Sequence, residues 1–330
     1  MMHDNPFVFT TATGVRQFDE PKNFYVVDHE EPIWSLRREE DDFMEVYREL
    51  IDIVPLKFFK DYDDYVDCKY VLPFVFCEAG LSQECSWSKN DFAKFIDGLD
   101  EKYREICLRV MYVEDIRDRL AFLYNKIMDI KGLVVLFYVR FGAYYSSIFN
   151  VYLDEKKNGV SFFSGQQVEI LFALIESIFQ KMYTALDLCV KLVWSIKFVP
   201  TDYLKYKKIG FQNRQWSDRK NLSGDYDFSD LENYKYRRLV ESMRDEFTHN
   251  GSWEADRKLY IRFADGVPVE RWILLNDHID GVPEKYVNRS RFYSSGKESF
   301  INKDIPDIVA CFLVSVSSFL KGLERNIKVR

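Results

Sequence analysis

Histidine is scarce in this chain. There are four in 330 residues, His3, His29, His249 and His278, and none stands in an H-E-x-x-H pair. The six cysteines contain no C-x-x-C; Cys68, Cys77 and Cys85 have no zinc-site spacing and no histidine close by, which argues against a metal centre. Cys189 and Cys311 lie inside apolar helical runs, where cysteine behaves as a small hydrophobe. Walker loops, dinucleotide-binding glycine patterns and G-x-S-x-G elbows are missing, and Asp61, Asp63 and Asp64 lack calcium-loop spacing. No metal and no cofactor are expected. The first twenty residues carry acids and no apolar core, so no secretory signal is expected and the chain reads as cytoplasmic. Uninterrupted apolar runs are missing too. The stretch 132–153 contains Arg140, 168–199 contains six charges, and 309–320 is too short to span a bilayer, so no membrane partner is expected. Internal repeats and low-complexity tracts are absent.

Apolar side chains are abundant. Hydrophobic residues make up 47% of the chain, with 28 Phe and 21 Tyr, enough to fill a thick helix–helix core. The net charge of −7 means that the overall field does not draw the protein to nucleic acid, so contact with RNA needs a local basic patch. The candidate is Lys205, Lys207, Lys208, Arg214, Arg219 and Lys220, with Lys235, Arg237 and Arg238 shortly after. The alternative for these residues is a solvated loop and helix face.

The periodicity predicts a mainly α protein. Residues 24–27 read as a strand and 39–53 as an amphipathic helix with Phe43, Val46, Leu50 and Ile53 on one face. The run 70–76, broken by Pro73, reads as an edge strand or loop. Helices are expected over 90–110, 114–129 and 133–156, with a break at Lys131-Gly132 and a stop at Asn158-Gly159. A long helix follows from Gln166 to about Phe198, then a polar, basic loop from Thr201 to Phe228. Ser229-Asp230-Leu231-Glu232 fits a capping box and predicts a helix start, with Leu239, Val240, Met243 and Phe247 as its apolar stripe and Asn250-Gly251 as its stop. Residues 258–263 and 269–275 around Asp265-Gly266 read as a hairpin. A last helix is expected from about Asp307 to Arg325, with Pro306 near its start. This divides the chain into an N-terminal α+β region, 1–110, and a helical bundle, 111–330, carrying a β-hairpin insert at about 256–300.

His249 stands apart from the other histidines because it ends a well-marked helix, in Arg244-Asp245-Glu246-Phe247-Thr248-His249-Asn250. Five residues along an ideal helix put Arg244 and His249 roughly 140° apart around the axis. They share a face only if the last turn loosens before Asn250-Gly251. Arginine followed by an acid or amide, three further residues and histidine, at the end of an amphipathic helix, resembles the HEPN superfamily signature. The resemblance covers roughly 114–330, and the N-terminal part lies outside it. It implies a HEPN-like four-helix bundle, a metal-independent endoribonuclease, a homodimer with two motif helices meeting across a two-fold axis, and a toxin or phage-defence role. A regulatory partner protein belongs to the same expectation. In some family toxins a tyrosine two residues after the histidine is modified by an antitoxin; here that place is Gly251, so that control is not supported.

The chemistry agrees with those residue types. Cleavage of RNA through its own 2′-hydroxyl needs a proton acceptor, a proton donor and a cation for the phosphorane charge. Histidine serves as base or acid near neutral pH, and arginine grips phosphate oxygens while always charged. One chain supplies one such histidine, and a two-fold partner supplies the second. Arg244 and His249 are the expected catalytic pair, with Asp245 and Asn250 in or beside the site and Thr248 or Ser252 assisting. The alternatives are a HEPN-like bundle that binds RNA, a nucleotide or a protein without catalysis, and a structural reading in which His249 caps the helix and Arg244 pairs with Glu241 or Glu246. Arg140 reads as a snorkelling side chain or a partner of Glu169 or Glu176.

Overall fold

The computed structural model describes residues 24–27, 32–35, 37–81, 83–149, 158–200, 203, 213–222, 226–279, 282–283 and 299–328. The chain is mainly helical, with a small three-stranded antiparallel sheet. In order it forms β1 (Phe24–Val27), β2 (Pro32–Ser35), α1 (Arg37–Ile53), a 3₁₀ turn (Val54–Lys57), α2 (Tyr62–Tyr70), α3 (Phe74–Glu78), α4 (Lys89–Asp97) and α5 (Glu101–Phe149). There follow β3 (Gly159–Phe163), α6 (Gln166–Lys197), a second 3₁₀ turn (Trp216–Asn221), α7 (Ser229–Glu232), α8 (Arg237–His249), β4 (Leu259–Ala264) and β5 (Val267–Trp272). The short pair β6 (His278–Ile279) and β7 (Val282–Pro283) precedes α9 (Ile301–Lys328).

Two compact units interleave along the chain. One takes Met1–Phe43, Lys126–Ala185 and Ser229–Ser317; the other takes Met44–Asn125, Leu186–Phe228 and Ser318–Arg330. Position 110/111, where a division was expected, lies within α5, and α5, α6 and α9 each give a segment to both units.

In the second unit, Asp61 accepts a hydrogen bond from the Asp64 N–H at 2.8 Å, so the Asp61–Asp64 acid cluster is the cap and first turn of α2. The run 70–76 is not a strand: α2 ends at Tyr70 and Pro73 starts α3. The expected helix 90–110 is two helices. Gly98 closes α4 and Asp100 accepts from the Tyr103 N–H at 3.0 Å to open α5. Arg104 then donates to the carbonyls of Ile96, Asp97 and Leu99, which ties the end of α4 to the start of α5. Tyr112 donates to the Ser195 carbonyl at 2.5 Å, Tyr47 stacks on Tyr124, and buried Trp216 meets Phe228, which stacks on Phe319.

In the first unit the break expected at Lys131-Gly132 does not occur, and α5 continues to Phe149. Glycine inside a helix costs roughly 1 kcal/mol. The continuous stripe of Ile130, Val134, Phe137 and Phe141, all buried, outweighs it. The helix is described to Phe149, residues 150–157 lie outside the described residues, and Gly159, at φ +103°, opens a strand. β4 is the centre of the sheet, paired with β3 on one side and β5 on the other. The β4–β5 hairpin follows the sequence: Asp265 at φ +50° and Gly266 at φ +78° make a turn whose twist suits two antiparallel strands. β3 as the third strand had no signal in the alternation.

The last helix starts six residues before the expected Asp307, so Pro306 lies inside it. Proline has no N–H for the carbonyl of Asn302 one turn back. That carbonyl accepts the Tyr138 hydroxyl at 2.6 Å instead. Among the described residues α9 is the one helix long and apolar enough to cross a membrane; its Phe312, Val316, Phe319 and Leu320 are buried in the protein core.

Candidate functional site

The motif lies on α8, in the first unit. Its stripe is buried as the spacing predicts: Leu239, Val240, Met243 and Phe247 face the core, and Phe247 meets Phe179 of α6 edge-on. The start of the helix differs from the sequence reading. Ser229–Glu232, expected as the capping box of this helix, forms the separate single turn α7, and α8 begins at Arg237 without a side-chain cap. A tertiary anchor replaces the cap. Asp307 of α9 accepts from Lys235 at 3.0 Å and from the Tyr236 hydroxyl at 2.5 Å, which holds the turn between the two helices.

The C-terminal stop is where the sequence puts it. Asn250 donates its backbone N–H to the Glu246 carbonyl at 2.8 Å, and Gly251 takes φ +93°. Trp253 pins the chain that leaves the helix: it stacks on Phe172 at 4.7 Å, meets Phe247 at 5.5 Å and donates to the Leu274 carbonyl at 3.3 Å. Arg257 clamps the same segment to α6 through Glu169 at 2.8 Å and Glu176 at 2.6 Å, and Ser252 adds a bond to Glu176. Arg140 is exposed, and the acids expected to meet it are held by Arg257.

Helical geometry persists through His249, so the expected loosening of the last turn does not occur. Arg244 and His249 stay roughly 140° apart around the axis, and one chain does not bring them together. Arg244 is part-buried, with its guanidinium 4.4 Å above the Tyr183 ring of α6 and one nitrogen 2.9 Å from Asp245. It pairs with neither Glu241, which holds Arg237 at 2.7 Å, nor Glu246. His249 is exposed and has no hydrogen-bond partner among the described residues. Asn250 donates to the buried Glu246 carboxylate at 2.6 Å, which commits its amide to the helix end. Thr248 bonds back to the Arg244 carbonyl at 2.8 Å.

The expected RNA patch is only partly gathered. Lys205, Lys207 and Lys208 lie outside the described residues. Arg214 stacks on Trp194 at 3.7 Å, and Arg219 lies 4.1 Å from the Trp216 ring and donates to the Trp216 carbonyl. These two cations are packed on tryptophans within the second unit, and Lys220 is exposed.

The later cations of the expected basic patch stand apart from the earlier ones, in the first unit. Lys235, Arg237 and Arg238, together with Glu232, Asn233 and Tyr234, line a depression of about 310 Å³ beside the α7–α8 turn. Nearby on α9, burial pushes the Asp304 carboxyl up to about 6, against the lowering influence of His278, Lys235 and Lys303. The depression is lined by one continuous stretch of chain, 232–238, and the sequence stands in no motif for a ligand. Among the described residues, no three His, Cys, Asp or Glu side chains converge to hold a metal ion.

No protein-family model matches this chain, and no curated protein or solved structure matches it.

Proposed function

We propose that this chain is a HEPN-type, metal-independent endoribonuclease that acts in the cytoplasm as a homodimer, in a toxin or phage-defence role. The observation that carries the reading is the state of the motif. Arg244 and His249 sit on the last two turns of an amphipathic helix packed in a helical unit, with His249 open to solvent and the Arg244 guanidinium over the Tyr183 ring. Stacking fixes the plane of the guanidinium while leaving edge donors free for phosphate oxygens. His249 is the proton acceptor for the 2′-hydroxyl, and Arg244 carries the charge of the phosphorane.

The separation of the two residues around α8 gives dimerisation its purpose. A composite site across a two-fold axis pairs Arg244 of one copy with His249 of the other, and supplies a second histidine to protonate the leaving 5′-oxygen. Incubation with mixed RNA in excess EDTA, beside His249→Ala, tests this. Wild-type cleavage lost in the variant supports the reading, and sedimentation of the active species as a dimer completes it. A monomer that cleaves, or cleavage that survives His249→Ala, overturns the composite site.

One observation favours a second reading, a HEPN-like bundle that binds RNA or a protein partner without catalysis. Asp245 occupies Arg244 at 2.9 Å and places a carboxylate where a phosphate would approach. Absence of cleavage by wild type, together with retained RNA binding, would select it.

A further inference from the structure

The water-facing side of the sheet carries an aromatic row. Phe162 of β3, Tyr260 of β4 and Trp272 of β5 stand directly opposite one another in the strand register. Their ring centres are 6.4 Å and 5.9 Å apart, and Phe300, just before α9, continues the line 5.7 Å from Trp272. Phe162 is 60% exposed and Val160, on the same strand, 57%. Tyr260, Trp272 and Phe300 are partly exposed. The opposite side of β4 presents Leu259, Ile261 and Phe263 to the core, so the row is not needed to fill it.

Cations border the row at both ends. Lys258 lies 5.0 Å from the Phe162 ring centre and Lys303 4.6 Å from that of Phe300, and half-exposed Arg262 stands in the next register position beside Val160. Their partners are Asp256 and Glu270. Such surface pairs are weak because water screens both charges, so they yield readily to a phosphate.

We propose that this face is a stacking platform for the bases of a single nucleic-acid strand, with Phe162, Tyr260 and Trp272 as the stacking rings and Lys258, Arg262 and Lys303 as phosphate contacts. A line of rings at near-equal spacing suits successive unstacked bases, because every base has a π-face, and cations beside it suit the backbone. A duplex hides its base faces and does not fit. The platform rests on the ribonuclease reading only for the identity of the strand as RNA, and it supplies the strand affinity that an acidic protein otherwise lacks.

The test measures fluorescence anisotropy of a short labelled RNA, a DNA of the same sequence and an RNA duplex, using full-length protein carrying His249→Ala so that no RNA is consumed. Phe162→Ala in that background is expected to weaken single-strand binding about ten-fold, and Phe162→Trp to retain it. Lys258→Gln with Lys303→Gln is expected to flatten the salt dependence. Phe162 is exposed, so its variants should melt with the parent, which circular dichroism checks. Absence of single-strand binding, unchanged affinity in Phe162→Ala, or duplex bound as tightly as single strand overturns the platform. Phe162-dependent binding of DNA alone keeps the platform and detaches it from RNA. RNA cleavage by protein with His249 restored, without Phe162 dependence of binding, sinks only the platform; Phe162-dependent binding without cleavage sinks only the ribonuclease.

Discussion

The guanidinium of Arg244 lies 4.4 Å above the ring of Tyr183, from a helix turn whose apolar side is buried. Stacking of this kind is particular to a planar cation, so Arg244→Lys is not a conservative change. In the proposed ribonuclease it should lower kcat about 10²-fold, while leaving the melting temperature nearly unchanged because the position is partly exposed. Asp245→Asn removes the competing carboxylate, and RNA affinity should rise a few-fold. Single-turnover cleavage and filter binding read the two effects separately. Weaker binding in Asp245→Asn would mean that the carboxylate orients Arg244 instead of opposing phosphate.

Tyr138 is bonded to the carbonyl that Pro306 leaves free in α9. Tyr138→Phe should cost about 1 kcal/mol in urea unfolding, since it orphans a buried acceptor. Pro306→Ala restores an N–H one turn on, so in that background the same change should cost less. Equal costs in the two backgrounds would show that the proline and the tyrosine are not coupled.

Asp304 gives the stability a pH dependence of definite sign. Burial raises its folded-state pKa to about 6, above its ordinary value of 3.8. Its stabilising influence is therefore complete below pH 4 and is lost as pH rises through 6, where the buried carboxyl must ionise. Asp304→Asn should be more stable than wild type at pH 8, by roughly 2 kcal/mol, with the difference vanishing near pH 4. Melting curves across that range check it; a difference that grows toward acid would reverse the assignment.

Glu114 has the opposite sign. Burial alone would raise its carboxyl, but the Tyr65 hydroxyl, Arg117 at 3.2 Å and Lys69 at 3.0 Å together hold it below the usual range. Its contribution is present at neutral pH and is lost as pH falls. Glu114→Ala leaves the Tyr65 hydroxyl without its acceptor and the Arg117 charge without its counter-ion, and should cost about 3 kcal/mol in chemical unfolding at pH 7. The loss should shrink in acid.

How far the site was legible depends on the range of the interactions. The α8 stripe and its glycine stop are local patterns of one helix, and both appear in the structure where the spacing puts them. The capping box was expected to start the motif helix, but Ser229–Glu232 forms the separate single turn α7; α8 starts at Arg237, where Asp307, far along the chain, holds the intervening turn. Gly98 and Gly132 show the same limit. Gly98 ends a helix because Asp100 caps the next one and Arg104 binds the carbonyls at the junction. Gly132 does not, because a buried stripe runs through it.

The sequence by itself determined the helical class, the amphipathic faces, the β4–β5 turn and the Arg244–His249 motif, since each follows from periodicity or from residues whose backbone preferences are intrinsic. Only the tertiary structure decided the rest. It paired β3 with β4, interleaved the two units along α5, α6 and α9, and lined three aromatic side chains across the sheet. It also seated Arg244 on Tyr183 and held Arg244 and His249 apart on a regular helix. These depend on contacts between residues distant in the chain, whose formation weighs loop-closure entropy against buried surface, and no local pattern records that balance.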